Sequence, residues 1–146
     1  MIRDFSPKDS ETLLELVKLN IPEYFDETEW PQFKEYLEHE TEDYYVIEEN
    51  GKIIGSGGLN YSPQKKRAVL SWDVLHPRHQ GRGHGRKLVQ YRIERARQRK
   101  GVEDLIVRTS QLTYKFYEKM GFDLEQVEKD FWAKGYDLYF MKMSLK

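Results

Sequence analysis

The sequence predicts an α/β protein. The expected core is a mixed, mostly antiparallel sheet with one β-α-β unit and helices on both faces. Three observations carry this prediction. Asn50-Gly51 separates two strand-like runs, Asp43 to Glu49 and Lys52 to Tyr61. A glycine-rich loop at 80–85 joins a third strand-like run to an amphipathic helix. Two further runs, 122–129 and 136–145, close the chain as a hairpin. The expected organisation is a single domain over residues 1–146, without repeats or linkers.

Each element has its own warrant. Ser6-Pro7-Lys8-Asp9 reads as a helix start: an N-cap serine, proline at the first helical position and an acid three after the cap. Leu13, Leu14, Leu16 and Val17 follow as a helical apolar stripe, and Pro22 stops it. Trp30, Phe33 and Leu37 mark a second short helix. The Asn50-Gly51 pair suits a type I′ turn, whose central residues both need positive φ. Gly55, Gly57 and Gly58 in the returning strand point to a bulge or a close backbone approach. Arg67 to His76 is the third long strand, ended by Pro77. In the helix after the loop, Leu88, Val89, Arg92, Ile93 and Ala96 form one stripe, and Gly101 follows it as a stop. Val102 to Arg108 reads as a buried strand, and Leu112 to Met120 as a helix closed by Gly121. In the last strand Tyr139, Met141, Met143 and Leu145 share a face.

Composition removes several functional classes. The chain has 146 residues, 14% of them aromatic, and a net charge of −1, which excludes bulk disorder. It has no cysteine, so disulfide scaffolds, thiolate metal sites and cysteine nucleophiles are out. No apolar run approaches membrane-spanning length, and Met1-Ile2-Arg3-Asp4 lacks a signal-peptide core. The expectation is a cytoplasmic protein without membrane partners. The charge is also unevenly placed. Residues 1–50 carry 15 acids against 4 bases, and residues 76–100 carry 9 bases against one acid. A polyanionic ligand suits the basic segment, and a cationic amine suits the acidic one.

The chemistry concentrates in His76-Pro77-Arg78-His79-Gln80-Gly81-Arg82-Gly83-His84-Gly85-Arg86-Lys87. A glycine-rich turn lets backbone N–H groups converge. The helix that starts there adds unpaired amides and the positive end of its dipole. Arg82, Arg86 and Lys87 add charge, and a pyrophosphate fits such a cradle. A P-loop string is absent. Gly81-x-Gly83-x-Gly85 has the wrong spacing for a dinucleotide fingerprint.

Gln80-Gly81-Arg82-Gly83-His84-Gly85 resembles the Gln/Arg-x-x-Gly-x-Gly/Ala acyl-CoA motif of the GNAT superfamily of N-acetyltransferases. The approach, Val74-Leu75-His76-Pro77, is similar to the family's preceding strand. Phe116-Tyr117-Glu118-Lys119-Met120-Gly121-Phe122 looks like its Leu-Tyr-Glu-Lys-x-Gly-Phe helix end. The resemblance implies a GNAT-like acyl-CoA N-acyltransferase fold with acetyl-CoA as cosubstrate. It implies that the backbone of Val74, Leu75 and His76 holds the pantetheine and polarises the thioester. Gln80, Gly81, Arg82, Gly83, His84, Gly85 and Arg86 would hold the pyrophosphate. Tyr117 would protonate the leaving thiolate after direct attack by an amine in a ternary complex.

Two departures from the family pattern follow. No carboxylate stands on Leu105-Ile106-Val107-Arg108, where some members keep a general base. Asp73 is the candidate instead, as base or amine anchor, expected to share a face with Ser71 and Leu75. Glu27, Glu29, Asp43 and Tyr44, from segments that could wall the acceptor side, and a water chain are the alternatives. The asparagine common at the start of the tyrosine helix is replaced by Ser110 or Gln111 as cofactor contact. His76, His79 and His84 lack an orienting carboxylate string, so no metal is expected. The leading reading is acetyl transfer to a primary amine of a small molecule or peptide. A non-catalytic acyl-CoA-binding regulatory module is the alternative. A nucleic-acid binder using Arg92, Arg95, Arg97 and Arg99 ranks below both, because the acidic half repels a long polyanion. The terminal strands offer edges that family members often pair, which leaves oligomeric state open and gives room for a homodimer. Trp30, Phe131, Trp132 and Tyr136 are candidates for an acceptor pocket or for plain packing.

Overall fold

The computed structural model describes residues 1–146. Along the chain come β1 (Ile2–Asp4), α1 (Ser10–Leu19), α2 (Glu29–His39), β2 (Asp43–Glu49), β3 (Lys52–Ser62) and β4 (Arg67–Leu75). There follow α3 (His84–Gln98), β5 (Asp104–Thr109), α4 (Tyr114–Lys119), β6 (Asp123–Ala133) and β7 (Tyr136–Ser144). The strands form one seven-stranded sheet in the order β1-β2-β3-β4-β5-β7-β6. Only β4 and β5 pair in parallel, through the α3 crossover, so the sheet is mixed and mostly antiparallel as expected. No helix is long and apolar enough to cross a membrane.

Local chemistry explains the boundaries. Asn50 and Gly51 sit at φ 54° and 77°, the type I′ geometry that returns β3 onto β2. Pro7–Asp9 forms a single 3-10 turn after Ser6, and the α-helix proper begins at Ser10. The Asp9 carboxylate accepts the Ser6 N–H at 2.8 Å and pairs with Arg3. The hydrogen bonds from Arg3 hold its pKa below the usual carboxylate value. α1 stops at Leu19, before Pro22. The β1 strand was not anticipated. Three residues are too few to show an alternating pattern, and pairing with β2 (Ile2 opposite Ile47) creates it.

The sheet separates two apolar layers. On one face Val89 and Ile93 of α3 and Tyr117 of α4 pack on Leu59, Leu70, Leu105 and Val107. On the other, Leu13 and Val17 of α1 and Phe33 and Leu37 of α2 pack on Tyr44, Val46 and Trp72. Two glycines of β3 are required by close approach. A Cβ on Gly57 would lie 2.9 Å from Arg92 Cζ, and one on Gly58 would overlap the Tyr44 ring and lie 2.5 Å from Asp43 O. Gly58→Ala is therefore expected to destabilise the protein by roughly 1–3 kcal/mol. Urea unfolding reads this, and an unchanged midpoint would mean that β2 and β3 can move apart freely.

Two features of β4 position the site. First, the strand carries a bulge. Ser56 pairs with Val74 but Gly58 with Ser71, so Trp72 and Asp73 together oppose Gly57. Trp72 sits at φ 49°, a left-handed conformation that is uncommon for a bulky residue. Second, β4 and β5 pair only from Arg67–Asp104 to Leu70–Val107. Beyond that point β4 stays with β3 and β5 with β7, and a gap opens between them.

Candidate active site

The gap is the mouth of a cleft of about 760 Å³. Its rim includes Gln80, Gly81, Gly83, Gly85 and Arg86 from the glycine-rich loop and the start of α3. Gly81 and Gly83 take φ 77° and 84°, and a Cβ at either would meet only open space. Conformation, not crowding, selects glycine there. The first helical bond runs from Lys87 N–H to Gly83 O, so the amides ahead of Lys87 have no intrahelical partner. Unpaired amides at a helix start are the kind of donor an anion site uses. Gln80 lines the rim while its Nε2 donates to Asn20 Oδ1 at 3.3 Å.

The β4 backbone supplies a second set of donors. The His76 N–H bonds Ile54 O at 2.7 Å, across to β3. Alternation turns the Leu75 peptide groups the other way, toward the gap. Leu75 O there accepts from Asn20 Nδ2 at 3.1 Å. Val74 and Leu75 both line the cleft. His76 does not, because its amide serves the β3 ladder and its Nδ1 accepts the Arg78 N–H at 3.0 Å.

Tyr117 arrives from α4, 5% exposed, with its hydroxyl donating to Asp73 Oδ2. Asp73 Oδ1 takes Arg92 Nη1 at 2.5 Å. Arg92 is fully buried; it also donates to Gly58 O at 3.1 Å, and its Nη2 has no partner. Burial works against the Arg92 charge, but Asp73 outweighs it and the net shift is upward. Burial, then the Asp73 charge and hydrogen bond, push the Tyr117 phenol well above its ordinary value. The phenol holds its proton throughout the physiological range.

The bulge corrects the expected side-chain pattern. Trp72 packs with the α1–α2 layer, and Asp73 contacts Arg92 and Tyr117 on the α3 side. Asp73 thus shares a face with Leu75, whose side chain lies near Gly85, but not with Ser71. The extra residue at Trp72 resets the alternation.

The opposite wall comes from the α1–α2 connection and the β6–β7 hairpin. Tyr24, Phe25, Glu29, Trp72, Trp132 and Tyr136 line it. The Tyr136 hydroxyl donates to Pro22 O at 2.5 Å and Trp132 Nε1 to Thr109 O at 3.1 Å, so the hairpin is tied across the mouth. Glu29 is buried, and desolvation raises its carboxyl pKa, although the Asp26 N–H opposes the shift. Trp30 packs beside this layer and Phe131 is exposed; neither lines the cleft.

Several sequence candidates lie elsewhere. Gln111 donates to Gly135 O at 2.6 Å and accepts the Asp137 N–H, so it holds the β6–β7 turn and does not line the cleft. Ser110 does line it; its Oγ accepts the Leu112 N–H and its carbonyl caps the start of α4. Arg82 and His84 do not line the cleft, and His84 pairs with Glu49 at 3.0 Å. Asp43 is engaged by Tyr61 and Arg99, Glu27 is exposed outside the cleft, and the Tyr44 hydroxyl is spent on Ser56 and Trp72 O. Arg92 is interior, so the basic stripe proposed for nucleic acid is broken at its first member. The signal for this was in the sequence: Arg92 falls four residues after Leu88 and four before Ala96, in the buried phase of α3. Glu49, His79 and His84 bring donor atoms within 4.8 Å of one another, a grouping that could hold a metal ion, but none of them lines the cleft.

A sequence model of the acetyltransferase (GNAT) family matches residues 10–122, which span both the loop and Tyr117. The chain belongs to that family. Amino-acid acetyltransferases are similar in sequence. The one from Mannheimia succiniciproducens is 34% identical over 95 residues, and that of Vibrio cholerae 30% over 95. Each alignment covers 65% of this chain, which spans about a fifth of the relatives' length, 21%. Among solved structures, a GNAT-family protein from Desulfovibrio desulfuricans superposes with a TM-score of 0.84 at 22% identity, covering 100% of this chain and 99% of that one. The ribosomal-protein-S18-alanine N-acetyltransferase of Escherichia coli gives 0.82 at 16% identity, covering 100% and 94%. An aminoglycoside 6′-N-acetyltransferase complexed with coenzyme A gives 0.79 at 16%, covering 100% and 97%. The family's architecture therefore extends over the whole chain.

Proposed function

We propose that the protein transfers an acetyl group from acetyl-CoA to a primary amine of a small molecule or peptide, by direct attack in a ternary complex. The observation that carries this is the joining of two sites in one cleft. An amide-lined cradle at Gly81–Arg86 opens onto a gap whose inner wall holds a protonated Tyr117. Family membership, and the coenzyme A complex of one structural neighbour, support acetyl-CoA as the donor.

Each group then has a task. The cradle amides and Arg86 bind the pyrophosphate. The Leu75 N–H, fixed in place beforehand, stabilises negative charge on the acetyl oxygen. The amine nitrogen bonds to the acetyl carbon as the C–S bond breaks. The Tyr117 hydroxyl turns from Asp73, gives its proton to the leaving sulfur and is reprotonated by the N–H proton that the nitrogen loses in becoming an amide. The surplus ammonium proton leaves through water past Glu29, whose raised pKa suits it to accept a proton. Asp73 has both oxygens engaged, so it orients the phenol and does not receive the amine proton. No step needs a covalent enzyme intermediate.

Thermal unfolding with acetyl-CoA, against ATP as control polyanion, tests the cofactor site. At a hundred times its Kd the ligand adds about 2.7 kcal/mol. That raises Tm by roughly 5–10 °C at this size. No shift with acetyl-CoA would refute the reading, and equal shifts with both ligands would reduce the loop to a general anion site.

A further inference from the structure

The acceptor wall is not uniformly acidic. Three arginines line the cleft. Arg86 belongs to the cradle, and Arg92 is buried against Asp73. The third, Arg108, stands on the other side. Leu105 and Val107 of β5 pack into the α3–α4 layer, so alternation turns Arg108 toward the α1–α2 side, where Trp72 and Phe25 lie. Its guanidinium sits 5.1 Å above the Phe131 ring and 5.7 Å above Trp132. No carboxylate oxygen of the chain comes within 4.0 Å of it.

This arrangement is unusual for a wall meant to receive a purely cationic amine. A polyamine or an aminoglycoside would bring positive charge against an arginine that nothing neutralises. Two mutually perpendicular rings flank the guanidinium and restrict where it can lie, while no hydrogen bond within the chain engages its N–H groups. A planar, pre-oriented fork is the geometry that grips a carboxylate by two parallel hydrogen bonds. Glu29 lines the same chamber and favours a positive group near it. One anionic and one cationic side chain facing the same space match a ligand with both charges.

We infer that the acceptor is a free α-amino acid, its carboxylate held by Arg108 and its amine presented to the acetyl carbon. The inference rests on the acetyl-transfer reading and narrows it. Only the amine and the thioester react: the N–C bond forms, the C–S bond breaks, and the acceptor carboxylate is unchanged. Arg108 is a specificity-determining residue that binds the part of the acceptor that does not react.

The test compares free α-amino acids with their own carboxamides and with spermidine, by thiol release from acetyl-CoA. The carboxamides keep the amine and lose the charge that Arg108 reads. A free acid is expected to exceed its carboxamide in kcat/KM by about 30-fold, as for loss of one charged hydrogen-bonded contact. Arg108→Gln is expected to bring that ratio close to one, through KM and not kcat. Its Tm should stay near that of the parent, because Arg108 is exposed. Equal rates for acid and carboxamide, preference for spermidine, or an unchanged ratio in Arg108→Gln would each overturn the inference. So would failure of every amino acid as acceptor while acetyl-CoA still raises Tm, and in that case the cofactor reading survives. If acetyl-CoA gives no shift, the underlying reading falls and this inference falls with it.

Discussion

Replacing Tyr117 with phenylalanine is expected to lower kcat by about 100-fold and to leave acetyl-CoA affinity in place. General acid catalysis contributes roughly 10²–10⁴. Two opposing effects of the raised pKa place this protein at the low end. Burial and Asp73 keep the phenol protonated, so the acid is always loaded. The same shift weakens its drive to give the proton away, since the best acid has a pKa near the working pH. Binding should survive because the hydroxyl faces Asp73, while the cradle is built from backbone. A companion variant, Asp73→Asn, fixes the sign. The Asp73 charge and hydrogen bond both raise the Tyr117 pKa. Removing that charge lowers it, so the alkaline limb of the kcat profile should move to lower pH. Single-turnover kinetics of Tyr117→Phe at saturating acetyl-CoA, with a pH series for Asp73→Asn, give both readings. A phenylalanine variant with undiminished kcat would remove Tyr117 from the chemistry. A limb that moves upward would remove Asp73 as the cause of the shift.

Asp73→Ala is expected to be the most damaging substitution for stability. It leaves the Arg92 guanidinium, 0% exposed, without its counter-ion. Breaking a buried pair from one side costs about 3–5 kcal/mol. Against a typical total of roughly 5–15 kcal/mol, that leaves the fold marginal. The fall in Tm should be about 10 °C or more. Removing the arginine as well should restore most of the loss, because a buried ion pair and a well-packed apolar replacement are close in free energy. Arg92→Met with Asp73→Ala is the variant to compare, by urea unfolding. Arg92→Met alone should cost less than Asp73→Ala alone, since the Asp73 side chain is 23% exposed and can be hydrated. If the double variant is as unstable as Asp73→Ala, the damage comes from packing and not from the stranded charge.

The elements legible in the sequence were those governed by local chemistry. Asn50-Gly51 states its turn type outright, and β2 runs over the expected Asp43–Glu49. The glycine loop turns with positive φ at Gly81 and Gly83 and opens a helix at His84, as read, because these are properties of a few adjacent residues. The Tyr117 position followed from a string within one helix. Features set by distant partners stayed hidden. β1 has no pattern until β2 lies beside it. Gln111 looked like a cofactor contact until the β6–β7 turn came within 2.6 Å of it. The bulge at Trp72 leaves no mark in a run that reads as continuous strand, and it alone decides which face Asp73 takes. Arg92 was legible by its helical phase, but its partner lies 19 residues away on another element.

The bulge also means that β4 specifies the site by counting. Before Trp72, one parity of positions faces α3; after it, the other parity does. Ser71 and Trp72 both turn toward the α1–α2 layer, and Asp73 then returns to α3. Deleting Trp72 would leave Leu70 and Asp73 on the α3 face with Ser71 and Val74 opposite, a plain alternation in the same register. Closing the bulge at full length would instead send Asp73 toward the acceptor and Val74 toward α3. The strand can lose a residue at this point and keep its site, but it cannot lose the bulge alone.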